Sequence, residues 1–353
     1  MITESGQMRP CCKLDASKIN SWQTVSISDG IDAYHGNPGL KDLKDWFIQG
    51  IKPDACHRCW TAESHGMVSH RELLDDNIGP GLGRFDLTLG NLCNLKCRIC
   101  NPEESSRYIK EWSDLFGESA QLVDMISDQS QMDTMAALAM QADLINISGG
   151  EPLLITKHFS ILEQLIDGGR APFTSLQYHT NGTVPINMHM LDVWSRFKNV
   201  EITFSIDGTG KRFEYNRHPA AWTDVENNIR DLIIRKTGNV SASINTTLSV
   251  FTVDGLVELF DWANGMGLPP PHLHILRSPS VFQASVLPLA LRQRLKLDLL
   301  RQKHLRAKTA IGILDEDATH LLPALRQRIT IQDKYRNESF ADVFPDLASH
   351  IFG

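Results

Sequence analysis

The chain has 353 residues, of which 42% are hydrophobic, and a formal net charge of −7. This length is enough for one large domain, or for one large and one small domain. No apolar run approaches the roughly 18 residues of a membrane-spanning helix, and the first residues lack the charged and apolar regions of a signal peptide. The interspersed charges include no Lys/Arg stripe, so binding to a membrane or to a nucleic-acid backbone is disfavoured.

Residues 1–83 contain four of the seven cysteines, in two pairs, and one predicted helix over 40–49. The other three follow at 93, 97 and 100, and none occurs later in the chain. A disulfide framework usually has an even number of cysteines spread along the chain. Tight groups in an odd total instead predict metal ligation in a reducing compartment, which we expect to be the cytoplasm.

From residue 84 onward, short apolar strands alternate with longer amphipathic stretches. Strands are predicted over 84–89, 144–148, 175–179, 200–206, 240–250 and 272–276. Helices are predicted over 103–116, over the following stretch to about residue 142, and over 157–167, 188–197, 221–235 and 253–266. This order is typical of a parallel sheet with right-handed crossovers, and six units make a partial (β/α)6 TIM barrel of the α/β class. In such barrels the loops at the carboxyl ends of the strands build the active site.

The sequence therefore predicts three regions: a small Cys-rich N-terminal module (1–83), the partial barrel (84–276) and a helical C-terminal extension (277–353). A glycine-rich run at 79–83 precedes a strand instead of following one, so we interpret it as a linker and not as a dinucleotide-binding loop. Within the extension, helices are predicted over 291–308 and 321–328.

The three cysteines after the first strand have the spacing C-x3-C-x2-C. Thiolates from Cys93, Cys97 and Cys100 would hold three irons of a 4Fe–4S cluster. The fourth iron would then be open to bind a small molecule and pass it an electron. The alternative is a zinc site or scattered structural thiols, although zinc sites usually favour paired C-x2-C hooks.

A second motif, Gly149-Gly150-Glu151-Pro152, follows the second strand. The two glycines let the backbone approach a ligand without a side-chain clash. Their carbonyls, or the Glu151 carboxylate, could accept a hydrogen bond from an ammonium group. Taken alone, the same residues could also form a plain turn closed by proline.

Polar residues also end the fourth strand. Ser205 and Asp207 occupy alternate positions and so share one face. A hydroxyl beside a carboxylate suits the two hydroxyls of a ribose. Ten residues later, Arg217 could clamp a ligand carboxylate with two hydrogen bonds, or could instead form a surface salt bridge.

The cysteine spacing, with the aliphatic Ile99 before the last cysteine, resembles the cluster loop of the radical S-adenosylmethionine (radical SAM) superfamily. In that superfamily the open iron binds the amine and carboxylate of S-adenosylmethionine. A Gly-Gly-Glu-Pro motif binds the amine, and the fourth strand binds the ribose. The resemblance implies an enzyme that cleaves S-adenosylmethionine reductively, producing a 5′-deoxyadenosyl radical that takes a hydrogen atom from its substrate. It also implies a flavodoxin- or ferredoxin-type electron donor.

Three further strand ends are implicated by the same resemblance. Thr180 and Asn181 end the third strand in a Thr-Asn-Gly turn, which lines the cofactor pocket in similar proteins. Asn245 lies in the fifth strand, where members of the superfamily often contact the cofactor; the alternative is an internally satisfied polar group. His274 lies in the last strand, near the adenine in such proteins, and a metal pair with His272 is disfavoured because better ligands are present.

The N-terminal cysteines resemble SPASM or twitch modules, which hold an auxiliary Fe–S cluster. The resemblance rests on Pro10-Cys11-Cys12 and on Cys56-x2-Cys59-Trp60. It implies an auxiliary 4Fe–4S cluster with three or four of these thiolates as ligands, with structural zinc as the alternative. Similar modules usually begin with a further Cys and a Pro-Trp, which this sequence lacks, so either the start is short or the first methionine is internal.

Relatives with auxiliary clusters often modify peptides, and others act on small molecules. We therefore expect a peptide or protein substrate, or else a small molecule. A non-catalytic Fe–S or zinc scaffold is an alternative, but it would need no cofactor pocket such as Glu151, Ser205 and Asp207 imply. An RNA-modifying radical enzyme is a further alternative, which the acidic balance disfavours.

Overall fold

The computed structural model of the protein describes residues 1–3, 6–64, 69, 71–72, 82–124, 128–301 and 307–353. Six strands form one sheet in the sequential order β1-β2-β3-β4-β5-β6. They alternate with helices, so the predicted α/β class and partial (β/α)6 barrel are confirmed. The strands are β1 (Leu82–Thr88), β2 (Ala142–Ser148), β3 (Ser175–Thr180), β4 (Asn199–Ser205), β5 (Val240–Leu248) and β6 (His272–Ile275).

Helices fill the connections and both ends of the chain. They are α1 (Gly30–His35), α2 (Pro38–Ile48), α3 (His57–Ser64), α4 (Ile109–Phe116), α5 (Gln129–Ala139), α6 (Phe159–Asp167), α7 (Met188–Ser195), α8 (Gly210–Asn216), α9 (Trp222–Arg235), α10 (Leu256–Gly265), α11 (Leu289–Arg301), α12 (Ala307–Asp315), α13 (Leu322–Arg336), α14 (Phe340–Val343) and α15 (Pro345–Phe352). The helix predicted over 291–308 corresponds to α11 and the start of α12, and its residues 302–306 lie outside the described part. Residues 79–81 of the predicted linker also lie outside it, whereas Leu82 and Gly83 belong to β1.

The strands form because their apolar residues recur at every second position. In and just after β4, Ile202, Phe204 and Ile206 are buried, and the alternate positions are polar, with Glu201 and Ser205 half-buried and Thr203 buried. Successive side chains of a strand point to opposite faces, so one face is apolar and packed while the other carries polar groups. Burying an apolar side chain of this size, relative to leaving it exposed to water, stabilises the folded state by about 1.5–3 kcal/mol.

Parallel pairing sets the strand ends side by side. In the β1–β2 pair, Phe85 lies opposite Ile145 and Thr88 opposite Ser148. The β5–β6 pair is also parallel, with Asn245 opposite His272 and Thr247 opposite His274. Parallel registers bring equivalent strand ends to the same edge of the sheet, where the predicted motifs lie.

The chain divides into two compact units. The first comprises Met1–Asn91, Leu122–Tyr178 and Asp192–Val200, and the second comprises Leu92–Gln121, His179–Leu191 and Glu201–Gly353. In the first unit, Ile2 pairs in parallel with Leu87, and its N–H donates to the Asp86 carbonyl at 2.9 Å. The domain boundaries predicted from the sequence remain predictions.

The second unit has a core that the C-terminal residues share with the region after β4. Phe340 and Phe344 stack with ring centroids 5.0 Å apart. Tyr215 lies 5.5 Å from Phe344, and Phe251 lies 6.2 Å from Phe340. Because aromatic rings bury large apolar areas, this cluster fixes α14 and the residue after it against α8.

None of the helices in the described ranges combines the length and the apolar character needed to cross a membrane.

Candidate active site

The three-cysteine loop follows β1 and lies in the second unit. Burial raises the pKa of Cys97 to about 11, an effect that the Arg217 guanidinium opposes and the neighbouring Cys93 reinforces. Burial also raises the pKa of Cys100 well above its usual value, with Cys97 and Glu104 acting in the same direction. The three thiols are therefore close enough to influence one another, and metal binding would displace their protons.

Hydrogen bonds to the last residue of α8 and to the segment after it hold the backbone of this loop. The N–H of Lys96 donates to the His218 carbonyl and that of Arg98 to the Asn216 carbonyl, both at 2.8 Å. At the start of the loop, the Cys93 N–H donates to Ser106 Oγ at 3.2 Å. These bonds fix the backbone on both sides of Cys97.

The donors around Cys93 fit a thiolate that binds a cluster. The Leu95 N–H lies 3.4 Å from Cys93 Sγ, and Asn181 Nδ2 lies 3.8 Å from it. Such donors stabilise a thiolate ligand and tune an Fe–S cluster. Among the described residues, no three His, Cys, Asp or Glu side chains are grouped to hold a single metal ion. A cluster does not require that grouping, because each thiolate binds a different iron.

The predicted ribose ligand and the predicted carboxylate clamp form one buried ion pair. Asp207 Oδ2 lies 2.6 Å from Arg217 Nη2, and Asp207 Oδ1 accepts a hydrogen bond from the Thr247 N–H at 2.7 Å. Burial opposes the charge of Arg217, but the Asp207 carboxylate outweighs this effect and raises the pKa of the guanidinium. Within the described part of the chain, Arg217 Nε has no hydrogen-bond partner. One buried donor of this pair is thus left for a ligand.

The Thr-Asn-Gly turn after β3 is joined to the cysteine loop by side chains. Asn181 Nδ2 donates to Asn94 Oδ1 at 3.0 Å, and Asn94 Nδ2 donates to Thr183 Oγ1 at 2.7 Å. Thr180 Oγ1 accepts from the Gly182 N–H at 3.1 Å, which closes the turn. Asn181 therefore supports the cysteine loop directly, and Thr180 supports the turn that holds Asn181.

The accessible face of β4–β6 is polar. Ser243 Oγ lies 2.8 Å from Glu201 Oε1 and 3.1 Å from Thr203 Oγ1, so these three side chains share a face. Ser205 and Asn245 follow at alternate positions on the same face and are half-buried. His272 and His274 continue it on β6 and are exposed. Hydroxyl, amide, carboxylate and imidazole groups thus line this side of the sheet.

The Gly-Gly-Glu-Pro motif lies in the first unit, where Gly149 meets backbone. It has φ +139°, and a Cβ there would lie 2.8 Å from the Gly90 carbonyl oxygen. The Gly150 N–H donates to the same oxygen at 2.8 Å. Glu151 is fully buried and accepts from the Leu153 N–H at 3.1 Å, and Pro152 begins a short 3-10 turn. The close approach of two strand ends, and not only a ligand, therefore requires glycine at 149.

No family model matches the chain. Curated relatives include GTP 3′,8-cyclase 3 of Mycobacterium bovis and of Mycobacterium tuberculosis. Each is 28% identical over 122 residues, which are 34% of this chain and 29% of the relative. The matched region thus spans under a third of those enzymes. The chain is therefore similar to these two enzymes over about a third of its own length.

Solved structures with bound S-adenosylmethionine resemble this chain at low identity. One is described as native anSMEcpe with bound AdoMet (15% identity, TM-score 0.47, 62% of this chain and 60% of that one). Another is SuiB of Streptococcus suis bound to S-adenosylmethionine (14%, TM-score 0.41, 69% and 48%). SuiB has also been solved bound to its precursor peptide SuiA (14%, TM-score 0.41, 68% and 49%). The chain covers less than two thirds of each of these proteins.

The other four cysteines lie in the first unit. Burial raises the pKa of Cys56 to about 11, with the nearby Cys59 and Cys11 acting in the same direction. The pKa of Cys12 is also raised, mainly by a hydrogen bond with Cys11 and then by burial. Cys11 and Cys56 pack against a small core of Leu14, Ile19, Leu43 and Ala55. The auxiliary cluster predicted for these thiols stays a prediction.

Sequence reasoning missed the residues that surround the cysteine loop from the C-terminal side. Arg98 is fully buried and pairs with Asp333 and Glu338. Arg336 donates to the Lys96 carbonyl at 2.7 Å. The only local signal was a pair of cationic residues, Lys96 and Arg98, next to Cys97. Their partners in the C-terminal region are more than 230 positions away, beyond the reach of any motif.

Proposed function

We propose that this protein binds a 4Fe–4S cluster at Cys93, Cys97 and Cys100 and uses it to cleave S-adenosylmethionine. The observation that carries the proposal is the grouping of three half-buried cysteines beside the Asp207–Arg217 pair. When bound and reduced, the cluster supplies an electron that breaks the C5′–S bond, giving methionine and a 5′-deoxyadenosyl radical that takes a substrate hydrogen atom. The cofactor performs the chemistry, and the protein positions it and excludes side reactions.

The remaining site residues would bind the cofactor. The unpartnered Nε of Arg217 offers a charge-assisted hydrogen bond to the methionine carboxylate. Asp207 orients Arg217 and, with Ser205, faces the ribose. Glu151 and the Gly149-Gly150 backbone would accept from the amine. Thr180, Asn181, Asn245 and His274 complete the set of residues that we propose contact or support the cofactor.

The substrate we propose is a peptide or protein, or a small molecule that is similarly polar. The polar face of β4–β6 supports this proposal, because a hydrocarbon offers no hydrogen bonds to the hydroxyl, amide, carboxylate and imidazole groups that line it. A peptide offers amide groups that pair with such side chains. We further propose that the N-terminal module holds an auxiliary 4Fe–4S cluster through Cys11, Cys12, Cys56 and Cys59, that a flavodoxin- or ferredoxin-type protein supplies electrons, and that the protein acts in the cytoplasm.

The proposal is tested by anaerobic reconstitution followed by iron and sulfide analysis. The electron paramagnetic resonance (EPR) spectrum of the reduced protein is recorded with and without S-adenosylmethionine. We expect about eight irons and two signals, of which one shifts when S-adenosylmethionine is added. About four irons with a shifting signal would contradict the auxiliary cluster but support the cluster at Cys93, Cys97 and Cys100. A signal that does not shift would contradict the proposal and favour a scaffold protein.

A further inference from the structure

The end of α13 contacts the cysteine loop through Arg336. The side chain of Arg336 is fully buried, and its Nη2 donates to the Lys96 carbonyl at 2.7 Å. Its Nε donates to Glu111 Oε1 at 2.8 Å. The other oxygen of Glu111 lies 2.7 Å from Lys96 Nζ. A single arginine therefore fixes both the backbone and, through Glu111, the side chain of the residue that precedes Cys97.

Arg98, the residue after Cys97, is held from the same direction. Its Nη2 lies 2.7 Å from Asp333 Oδ1 and 2.5 Å from Glu338 Oε2. Its Nε donates to the Tyr215 carbonyl at 3.0 Å, and its guanidinium lies 3.5 Å from the centre of the Tyr215 ring. The loop is thus anchored on both sides of its middle cysteine by residues 333–338.

Glu338 also reaches the loop by a second route. Its Oε1 lies 2.6 Å from His218 Nδ1. The His218 carbonyl accepts the Lys96 N–H at 2.8 Å. A substitution of Glu338 would therefore affect Lys96 through His218, whose backbone carbonyl accepts the Lys96 N–H, and would affect Arg98 through their direct ion pair.

The charges in this network balance. Three cations, Lys96, Arg98 and Arg336, face three carboxylates, which are those of Glu111, Asp333 and Glu338. Removal of one member of a buried ion pair leaves its partner's charge uncompensated. Such a charge lies close to Cys97, because Lys96 and Arg98 are its neighbours in the chain, and buried charges are weakly screened.

We propose that Arg336 is a positioning residue for the cysteine loop, and that the balance between Arg336 and Glu338 sets the reduction potential of the cluster the loop holds. The inference rests on the proposed function, since it needs a cluster at these cysteines. Reduction adds an electron, so a nearby cation favours the reduced cluster and a nearby carboxylate disfavours it.

The test is an EPR-monitored redox titration of the reconstituted full chain. Arg336→Gln removes a cation, so its potential is expected to be more negative than that of the wild type. Glu338→Gln removes a carboxylate in a nearly equal volume, so its potential is expected to be less negative. The matched control is Arg326→Gln, because Arg326 lies on the same helix but donates to the Ile351 carbonyl and not to the loop. Its potential is expected to equal that of the wild type.

A second measurement separates charge from hydrogen-bond geometry. Arg336→Lys keeps the cation but loses the fork that joins Glu111 to the Lys96 carbonyl. We expect its potential to stay near the wild-type value, whereas iron release to a chelator becomes about tenfold faster. If Arg336→Gln fails to retain a cluster, Glu338→Gln still tests the effect of charge on the potential. Arg336→Lys then tests the effect of the hydrogen-bond geometry on iron release.

The possible outcomes distinguish this inference from the function on which it rests. Shifts of opposite sign in Arg336→Gln and Glu338→Gln, with no shift in Arg326→Gln, support the inference. Equal potentials, or shifts of the same sign, in variants that hold a wild-type amount of iron overturn it and leave the proposed function intact. A wild-type protein whose EPR signal does not respond to S-adenosylmethionine overturns both.

Discussion

At the scale of single residues, the half-buried Cys97 is central to the proposed chemistry. It lies between Cys93 and Cys100 in the chain, and Arg217 and Arg336 both act on its pKa. A cluster with two protein ligands instead of three would be lost or misplaced. The consequences of its removal can therefore be predicted separately from those at the N-terminal cysteines.

We expect Cys97→Ala to reduce cleavage of S-adenosylmethionine by about 100-fold or more, because the cluster loses one of its three ligands. Formation of 5′-deoxyadenosine by the reduced, reconstituted protein is the measurement. Cys56→Ala is the matched control, since it removes a half-buried thiol of the other cysteine group and should spare this cleavage while stopping product formation. Wild-type cleavage in Cys97→Ala would rule out the assignment of this loop.

The Asp207–Arg217 pair is expected to matter for stability as well as for binding. Asp207→Asn leaves the buried Arg217 charge without its carboxylate, which should lower the free energy of unfolding by about 3–5 kcal/mol. Denaturant unfolding of the metal-free protein measures the change. The exposed Arg196–Asp192 pair supplies the control, because Asp192→Asn should cost less than about 1 kcal/mol. Equal effects of the two substitutions would contradict the buried pairing.

A buried histidine makes stability depend on pH. Burial lowers the pKa of His158 from 6.5 to about 4. Its Nδ1 lies 2.5 Å from the Ile155 carbonyl, to which it donates, so Nε2 accepts from the Tyr178 hydroxyl at 2.8 Å. The unfolded chain binds a proton here below about pH 6.5, and the folded chain does not until about pH 4. Folding is therefore disfavoured as the pH falls through this range.

From about pH 7 to about pH 5, we expect His158 to reduce the free energy of unfolding by about 2 kcal/mol. Denaturant unfolding at the two pH values measures this loss. In His158→Gln the ionisable group is gone, so the loss between the two pH values should become smaller by about that amount, whatever the stability of the variant at pH 7. An unchanged pH dependence would mean that His158 is not buried as a neutral group.

At the scale of elements, the strand ends explain why particular residue types occur where they do. The β1 and β2 ends approach so closely that Gly149 packs on the backbone of Gly90. The sequence suggested that glycine there admits a ligand, and the structure adds that it admits the neighbouring strand end. The two reasons are compatible, since a tight junction also presents backbone groups at the sheet edge.

We expect Gly149→Ala to lower the free energy of unfolding by about 1–3 kcal/mol, because its Cβ would lie 2.8 Å from the Gly90 carbonyl oxygen at φ +139°. Thermal or denaturant unfolding of the metal-free protein measures the loss. Gly238→Ala is the matched control, since a Cβ at Gly238 would meet nothing within 4 Å. An equally small effect at both positions would refute the close approach.

The strands were predictable because each buries alternate residues over several positions, which is a local and repeated signal. All six predicted strands are present, with ends shifted by up to two residues. The short helices α8, α14 and α15 were not predicted. Seven residues or fewer, as in α8 and α14, are too few to show a helical period, and tertiary contacts such as the Phe340–Phe344 stack determine these segments.

At the scale of the whole molecule, the C-terminal residues and the cysteine loop belong to the same unit. Arg98 meets Glu338 across 240 positions of chain, and Lys96 meets Arg336 across the same separation. The extension therefore contributes to the cluster loop and not merely to the length of the protein. The opposite shifts in potential expected for Arg336→Gln and Glu338→Gln belong to this scale, because they depend on contacts that only the complete fold creates.

The sequence by itself determined the class of fold, the order of the strands and the three-cysteine loop, because each rests on short-range spacing that a folded chain must keep. The sequence also identified Asp207 and Arg217 as candidate ligands. Only the tertiary structure decided that these two pair with each other, that Gly149 packs against Gly90, and that Arg336 holds Lys96. Contacts between residues far apart in the chain depend on the path of the backbone, which local composition does not encode.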